Sequence, residues 1–209
     1  MNISSCFRSI RKQGCFLSLS FIAILFCSCA SQENRYFPVK NLKARESSLG
    51  FSISPPSGAR WYEKHNRDSL YYLKITEEKK YSIFAKATEI HLLEKELNKN
   101  AFIQFVKEKK EIRPAQGDYR NIKFQYMADV GLSPYCVRYF QEYEDHSKKE
   151  ILQSNFIIVK NSGLVCMHPK TPGNGIDMYY QESYLASENV PQKSFEDECE
   201  VFLSSLRFF

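Results

Sequence analysis

Three basic residues ahead of a short apolar run set the first limit on this chain. Arg8, Arg11 and Lys12 precede the stretch from Cys15 to Phe26, which contains no charged residue. Twelve residues rise about 18 Å as a helix, well short of the roughly 30 Å hydrocarbon core of a bilayer. A basic head with a short apolar body is the pattern of an export signal, and no stop-transfer segment or other apolar run of spanning length follows it. The folded part is expected to be exported, not embedded in a membrane.

The end of the run reads Leu25-Phe26-Cys27-Ser28-Cys29-Ala30-Ser31. It resembles a bacterial lipobox, in which a small residue precedes the cysteine that becomes the lipidated N-terminus. Ser28 and Cys29 match that pattern, while Phe26 and Cys27 depart from it. The resemblance implies a signal peptide over 1–28, cleavage before Cys29 and palmitate-type acylation of that residue. Several acyl chains on one residue anchor firmly, because each buried CH₂ contributes about 0.8 kcal/mol. Ala30 after the cysteine, in place of Asp, implies the outer membrane with the domain in the periplasm. Ser28-Cys29-Ala30 also satisfies the rule for an ordinary signal peptide, which would release a protein starting at Ser31.

The formal charge of +5 comes partly from the leader. Without its three basic residues, 26 bases face 24 acids, a net of +2. No basic stripe interleaved with aromatics is visible along the chain, so nucleic acid is not an expected partner. Hydrophobic residues make up 43% and aromatics 14%, with 16 Phe and 13 Tyr, enough to build the core of one domain without disulfides.

Residues 29–48 are polar, include Pro38, and read as a lipidated end and flexible tether. A single domain is expected over 49–209. Phe51 and Ile53 alternate with serines before Pro55-Pro56, and Trp61 follows. Leu70–Ile75 and Tyr81–Ile90 read as strands. Asn100 is placed to cap a helix running to Glu111, with Phe102, Phe105 and Val106 inward. Ile122, Phe124, Tyr126 and Ala128 alternate with polar residues. Tyr135–Tyr143 and Ile151–Lys160 form the next pair, then an Asn161-Ser162-Gly163 turn leads to a short strand from Leu164 to His168. After a Pro/Gly loop over 169–175, Ile176–Leu185 is a further strand. Ser194 and Asp197 suggest a capping box for a last helix, whose stripe is Phe195, Cys199, Phe202, Leu203 and Leu206. Successive strands with two helices inserted imply an α+β fold with a largely antiparallel sheet flanked by helices.

The first strand Gly50-Phe51-Ser52-Ile53, running into prolines and Trp61, and a closing helix Phe202–Phe208 resemble the PsbP-type fold. That fold is also found in small envelope lipoproteins of the DcrB type. The resemblance spans residues 49–209, implies an antiparallel sheet flanked by helices, and implies no reaction.

Cys136, Cys166 and Cys199 remain in the mature domain, and an exported compartment permits disulfides. Pairs with Cys166 rank first. In a simple meander, Cys136 and Cys166 flank the 151–160 strand at about 10 Å, too far to bridge, unless the strand order differs. The other reading is three buried free thiols. Cys166 and His168, two apart on a strand, face one side and are the best local candidates for a soft metal. A structural histidine at a strand end is the competing reading. Asn174 and Asp177, in or beside the Pro/Gly loop, are candidates for a recognition surface. No nucleophile elbow, zincin helix, Walker loop or dinucleotide fingerprint is present. No pattern implies a cofactor or a small-molecule substrate. The leading expectation is a non-enzymatic envelope lipoprotein that binds a partner near the membrane. The alternative is a metal-handling protein or enzyme using Cys166 and His168.

Overall fold

The structure, a computed structural model, describes residues 35–209 except 78–80, 94–97, 113–116, 130, 134, 148–151, 153–154 and 189–194. The leader, Cys29 and Ser194 of the expected capping box therefore lie outside the described residues. In chain order the elements are β1 (Phe37–Pro38), β2 (Arg45–Glu46), β3 (Phe51–Ile53), β4 (Trp61–Asn66), β5 (Ser69–Lys74), β6 (Tyr81–His91) and α1 (Lys99–Lys110). Then come β7 (Tyr119–Ala128), β8 (Cys136–Asp145), β9 (Ile157–Met167), β10 (Asn174–Leu185), α2 (Glu196–Ser204) and β11 (Arg207–Phe208). Eight strands form one sheet in the order β1-β4-β5-β6-β10-β9-β8-β7, and a small sheet runs β11-β3-β2. Each of these pairings is antiparallel. The fold is α+β with a mainly antiparallel sheet.

Alternation assigns the faces. On β6, Tyr81, Ile83, Ala85 and Ala87 are buried on one side. With Tyr72, Leu164, Ile176, Met178 and the small sheet they form the core under α2. The stripe Phe195, Cys199, Phe202, Leu203 and Leu206 packs into that core. Acidic Glu196, Asp197 and Glu198 occupy the first turn of α2, where the helix dipole favours negative charge. Glu198 also fixes the helix to the sheet. It accepts from Trp61 Nε1 at 2.9 Å and is ion-paired with Lys74, a lysine only 7% exposed. The Lys74 ammonium donates to Ala59 O at 2.7 Å and lies over the Trp61 and Phe195 rings.

On the other face, Phe102 and Val106 of α1 cover Val137, Val165 and Met167. Asn98, two residues earlier than expected, caps α1 by accepting from Ala101 N at 2.9 Å. Lys107, Lys109 and Lys110 complement the negative end of the helix.

Several expectations need correction. The folded part begins by Arg35, so the expected tether to residue 48 is cut short: β1 pairs with β4, and β2 pairs with β3. Trp61 opens a strand that alternation does not announce. The regular Ile122-Phe124-Tyr126 pattern is broken by a bulge between Asn121 and Lys123, leaving Ile122 exposed. The closing helix ends at Ser204, and Arg207–Phe208 is a strand beside β3.

The largest correction is at Asn161-Ser162-Gly163, which is no turn but the middle of β9. Gly163 is there for close approach: a Cβ at that position would overlap the ring of Tyr139, which lies against it from the neighbouring strand. Gly163→Ala is expected to lower unfolding free energy by about 1–3 kcal/mol, the range for overpacking a filled site. Tyr139→Ala in the same chain should remove most of that added penalty, read as a double-mutant cycle in urea. A Gly163→Ala midpoint equal to wild type would show that the ring does not need the gap.

Candidate functional site

Strand register brings together side chains that are far apart in sequence. On the α1 face, Lys64 of β4 stands opposite Tyr71 of β5, and Tyr71 opposite Lys86 of β6. Lys86 in turn faces Tyr179 of β10, Tyr179 faces Gly163 of β9, Gly163 faces Tyr139 of β8, and Tyr139 faces Tyr126 of β7. Tyr36, just ahead of β1, extends the row, with its ring 6.0 Å from the Lys64 ammonium. Lysine and tyrosine thus alternate across the first half of the sheet.

The contacts are those of cations over rings, favourable within about 6 Å. Lys64 Nζ lies 5.9 Å and Lys86 Nζ 5.0 Å from the centre of Tyr71. In the second half of the row α1 supplies the cations: Lys110 sits 4.8 Å from Tyr139 and 5.3 Å from Tyr179, and Lys107 sits 5.7 Å from Tyr126. Half-buried Tyr62, Leu73 and Phe84 make an apolar row beside the first half, and Phe84 meets Tyr179 edge to face at 5.8 Å. Strands β4, β5 and β6 place no carboxylate on this face. The result is a basic and aromatic surface on this part of the sheet.

The residues singled out from sequence fall elsewhere. Asn174, expected in the loop, and Asp177 are both in β10. Asp177 accepts from the Lys110 ammonium at 2.6 and 2.8 Å, and the two side chains are each 14% exposed. Burial pulls the Lys110 pKa down against the pull of Asp177. Asp177 therefore holds the end of α1 on the sheet. The Pro/Gly segment is shorter than expected because Asn174 already pairs with His91.

Cys136 and Cys166 are joined by a disulfide. The continuous β9 puts them directly opposite one another on adjacent strands. Met167 N donates to Tyr135 O, so the hydrogen-bonded pair is the next one along. The cysteines occupy the closer, non-hydrogen-bonded site, with Cα atoms 4.1 Å apart. Cys199 is a buried free thiol, its pKa pushed up by burial, with nearby carboxylates adding to the shift. It packs as a small apolar residue.

His168 is 2% exposed and both its ring nitrogens are engaged. Nδ1 accepts from Lys170 N at 3.1 Å and Thr171 N at 3.0 Å, so Nε2 carries the proton and donates to Gly50 O at 3.2 Å. With the Cys166 sulfur in a disulfide, the expected soft-metal pair is corrected to two structural side chains. Among the described residues no cluster of three His, Cys, Asp or Glu side chains is placed to hold a metal. A separate cleft of about 180 Å³ is lined by Ser47, His65, Asp68 and Glu89 together with Phe51 and Leu70. Ser47 donates to Glu89 there.

Comparison with known proteins adds little. No protein family matches the chain, and no curated protein does. Among solved structures, the Ran-binding protein Mog1p of Saccharomyces cerevisiae aligns at a TM-score of 0.41 and 6% identity, over 80% of this chain and 96% of that one. A point mutant of Mog1 aligns at 0.40 and 8% identity, with the same coverage.

The row of phenols has a consequence at high pH. Burial, reinforced by the Asp177 carboxylate, pushes Tyr179 up to about 12, and burial likewise raises Tyr139 and Tyr143. In the unfolded chain these phenols ionise near pH 10. Their contribution to stability is therefore complete below pH 10 and is lost as pH climbs through the folded values. The urea midpoint is expected to hold up to about pH 10 and to fall between there and about 12. Tyr179→Phe should shrink the fall, and phenols titrating near 10 in the folded protein would refute the account.

Proposed function

We propose that this chain is a bacterial envelope lipoprotein anchored through acylated Cys29. Its non-enzymatic domain docks an acidic segment of a neighbouring envelope protein on the face of Lys64, Tyr71 and Lys86. The observation that carries the compartment is the Cys136–Cys166 disulfide. Such bonds persist in oxidising compartments and are rare in a reducing cytosol. That agrees with the export pattern of Arg8 to Phe26 and with Cys29 at its end. Ala30 after the cysteine favours the outer membrane, with the domain in the periplasm.

Charge complementarity supports the acidic partner, since Lys64 and Lys86 stand in one row on either side of Tyr71. Kinship to the PsbP-type lipoproteins is part of the same proposal. It draws on the first strand Phe51–Ile53 and the C-terminal segment that pairs with it.

Growth with labelled palmitate tests the anchor. The label should enter the wild-type chain and vanish in Cys29→Ser. The mature protein, denatured without reductant, should then titrate a single thiol, that of Cys199. A mature species starting at Ser31, an uncleaved cytosolic protein, or three titratable thiols would overturn the compartment. For the docking face the probe is poly-glutamate. Binding should weaken with salt and fall at least about ten-fold in the double variant Lys64→Glu, Lys86→Glu, while thermal melting changes little. Equal binding by both proteins would remove this face from the proposal.

A further inference from the structure

Three of the exposed large apolar side chains crowd into seven residues at the start of the folded part: Tyr36 at 41%, Phe37 at 61% and Leu42 at 51% exposure. Scattered exposed apolar residues are ordinary, whereas a cluster marks a contact surface. Basic Arg35, Lys40 and Lys43 are interleaved with them, and no acid occurs between residues 35 and 45. This stretch is tied down: Phe37 and Pro38 pair with Glu63 and Tyr62, and Val39 N donates to Trp61 O at 2.9 Å. Tyr36 and Phe37 are thus held at one edge of the large sheet, and Lys40, Leu42 and Lys43 follow in the link to β2. Arg45, at the end of the stretch, is pinned by its ion pair with Glu63.

We infer that the Arg35–Lys43 edge rests on anionic phospholipid headgroups, so that the large sheet stands on its β1 edge at the membrane. This rests on the acylation of Cys29 proposed above. From Cys29 to Arg35 is six residues, a reach of at most about 20 Å, so the edge cannot leave the vicinity of the bilayer. Aromatic rings and long basic side chains together suit the headgroup layer, where rings sit at the interface and ammonium groups meet phosphate. The opposite edge is remote. Seven steps between eight strands, at about 4.8 Å each, put β7 roughly 34 Å away, several screening lengths beyond the surface potential at physiological salt. An edge-on stance also leaves the lysine–tyrosine face open to a protein partner.

The test is lysine acetylation of the full chain in vesicles of phosphatidylglycerol with phosphatidylcholine, compared with vesicles of phosphatidylcholine alone. Lys40 and Lys43 should react at least about three-fold more slowly on the anionic vesicles, and high salt should abolish the difference. Lys123 on β7 should react equally on both. Lys40→Glu with Lys43→Glu, both at exposed positions, should leave melting unchanged and remove the dependence of amide hydrogen-exchange protection at Tyr36 and Phe37 on anionic lipid. Equal acetylation of Lys40 and Lys43 on both vesicles overturns the inference, as does protection of Lys123 to the same degree. Protection that needs no vesicle and grows with protein concentration would mark edge pairing of two copies and overturn it too. Palmitate labelling is read separately: an unlabelled chain with protected Lys40 refutes the anchor alone, and a labelled chain without protection refutes the edge contact alone.

Discussion

Eight antiparallel strands side by side span about 34 Å, while the twelve-residue helix on one face is only about 18 Å long. One such helix cannot roof the sheet. On the α2 face, the small sheet and the C-terminal residues share the covering with the helix, and the apolar cluster there runs from Phe51 to Leu206. On the α1 face the apolar contacts gather around Val137, Val165 and Met167. What the helix leaves uncovered must tolerate water, and tyrosine with lysine does so, each pairing an apolar body with a polar tip. The basic aromatic row follows from this mismatch of lengths.

The side chains that looked most reactive are those the fold uses to hold itself together. Cys166 bridges two neighbouring strands. His168 ties the start of the 169–173 loop to Gly50, the residue before β3, through bonds at both nitrogens. Asp177 clamps the last lysine of α1. Glu198 joins helix, strand and loop through Trp61, Lys74 and the backbone at Ser57. Buried polar groups must find partners, because desolvation without them costs more than most single contacts return. In each of these four cases the partner is part of the chain itself.

Much of the fold was legible locally. Tyr81 to Ala87 alternate in sequence and in burial, and the stripe from Phe195 to Leu206 is the buried side of α2, because periodicity reports which side of an element faces the core. The errors came where one residue type serves two ends. Gly163 reads as a turn, since glycine usually marks one, yet it sits mid-strand to make room for the Tyr139 ring. That single misreading split β9 in two and moved Cys166 away from Cys136. Polar Asn174 next to Pro172 and Gly173 reads as loop, although it pairs within the sheet.

The sequence by itself determined the α+β class and the inward faces of the main elements. These are properties of contiguous residues, set by charge, length and period. Only the tertiary structure decided that Lys64, Tyr71, Lys86 and Tyr179 stand in one row, that Cys136 meets Cys166, and that Asp177 belongs to Lys110. Each depends on strand order and register, which are fixed by contacts between residues tens of positions apart.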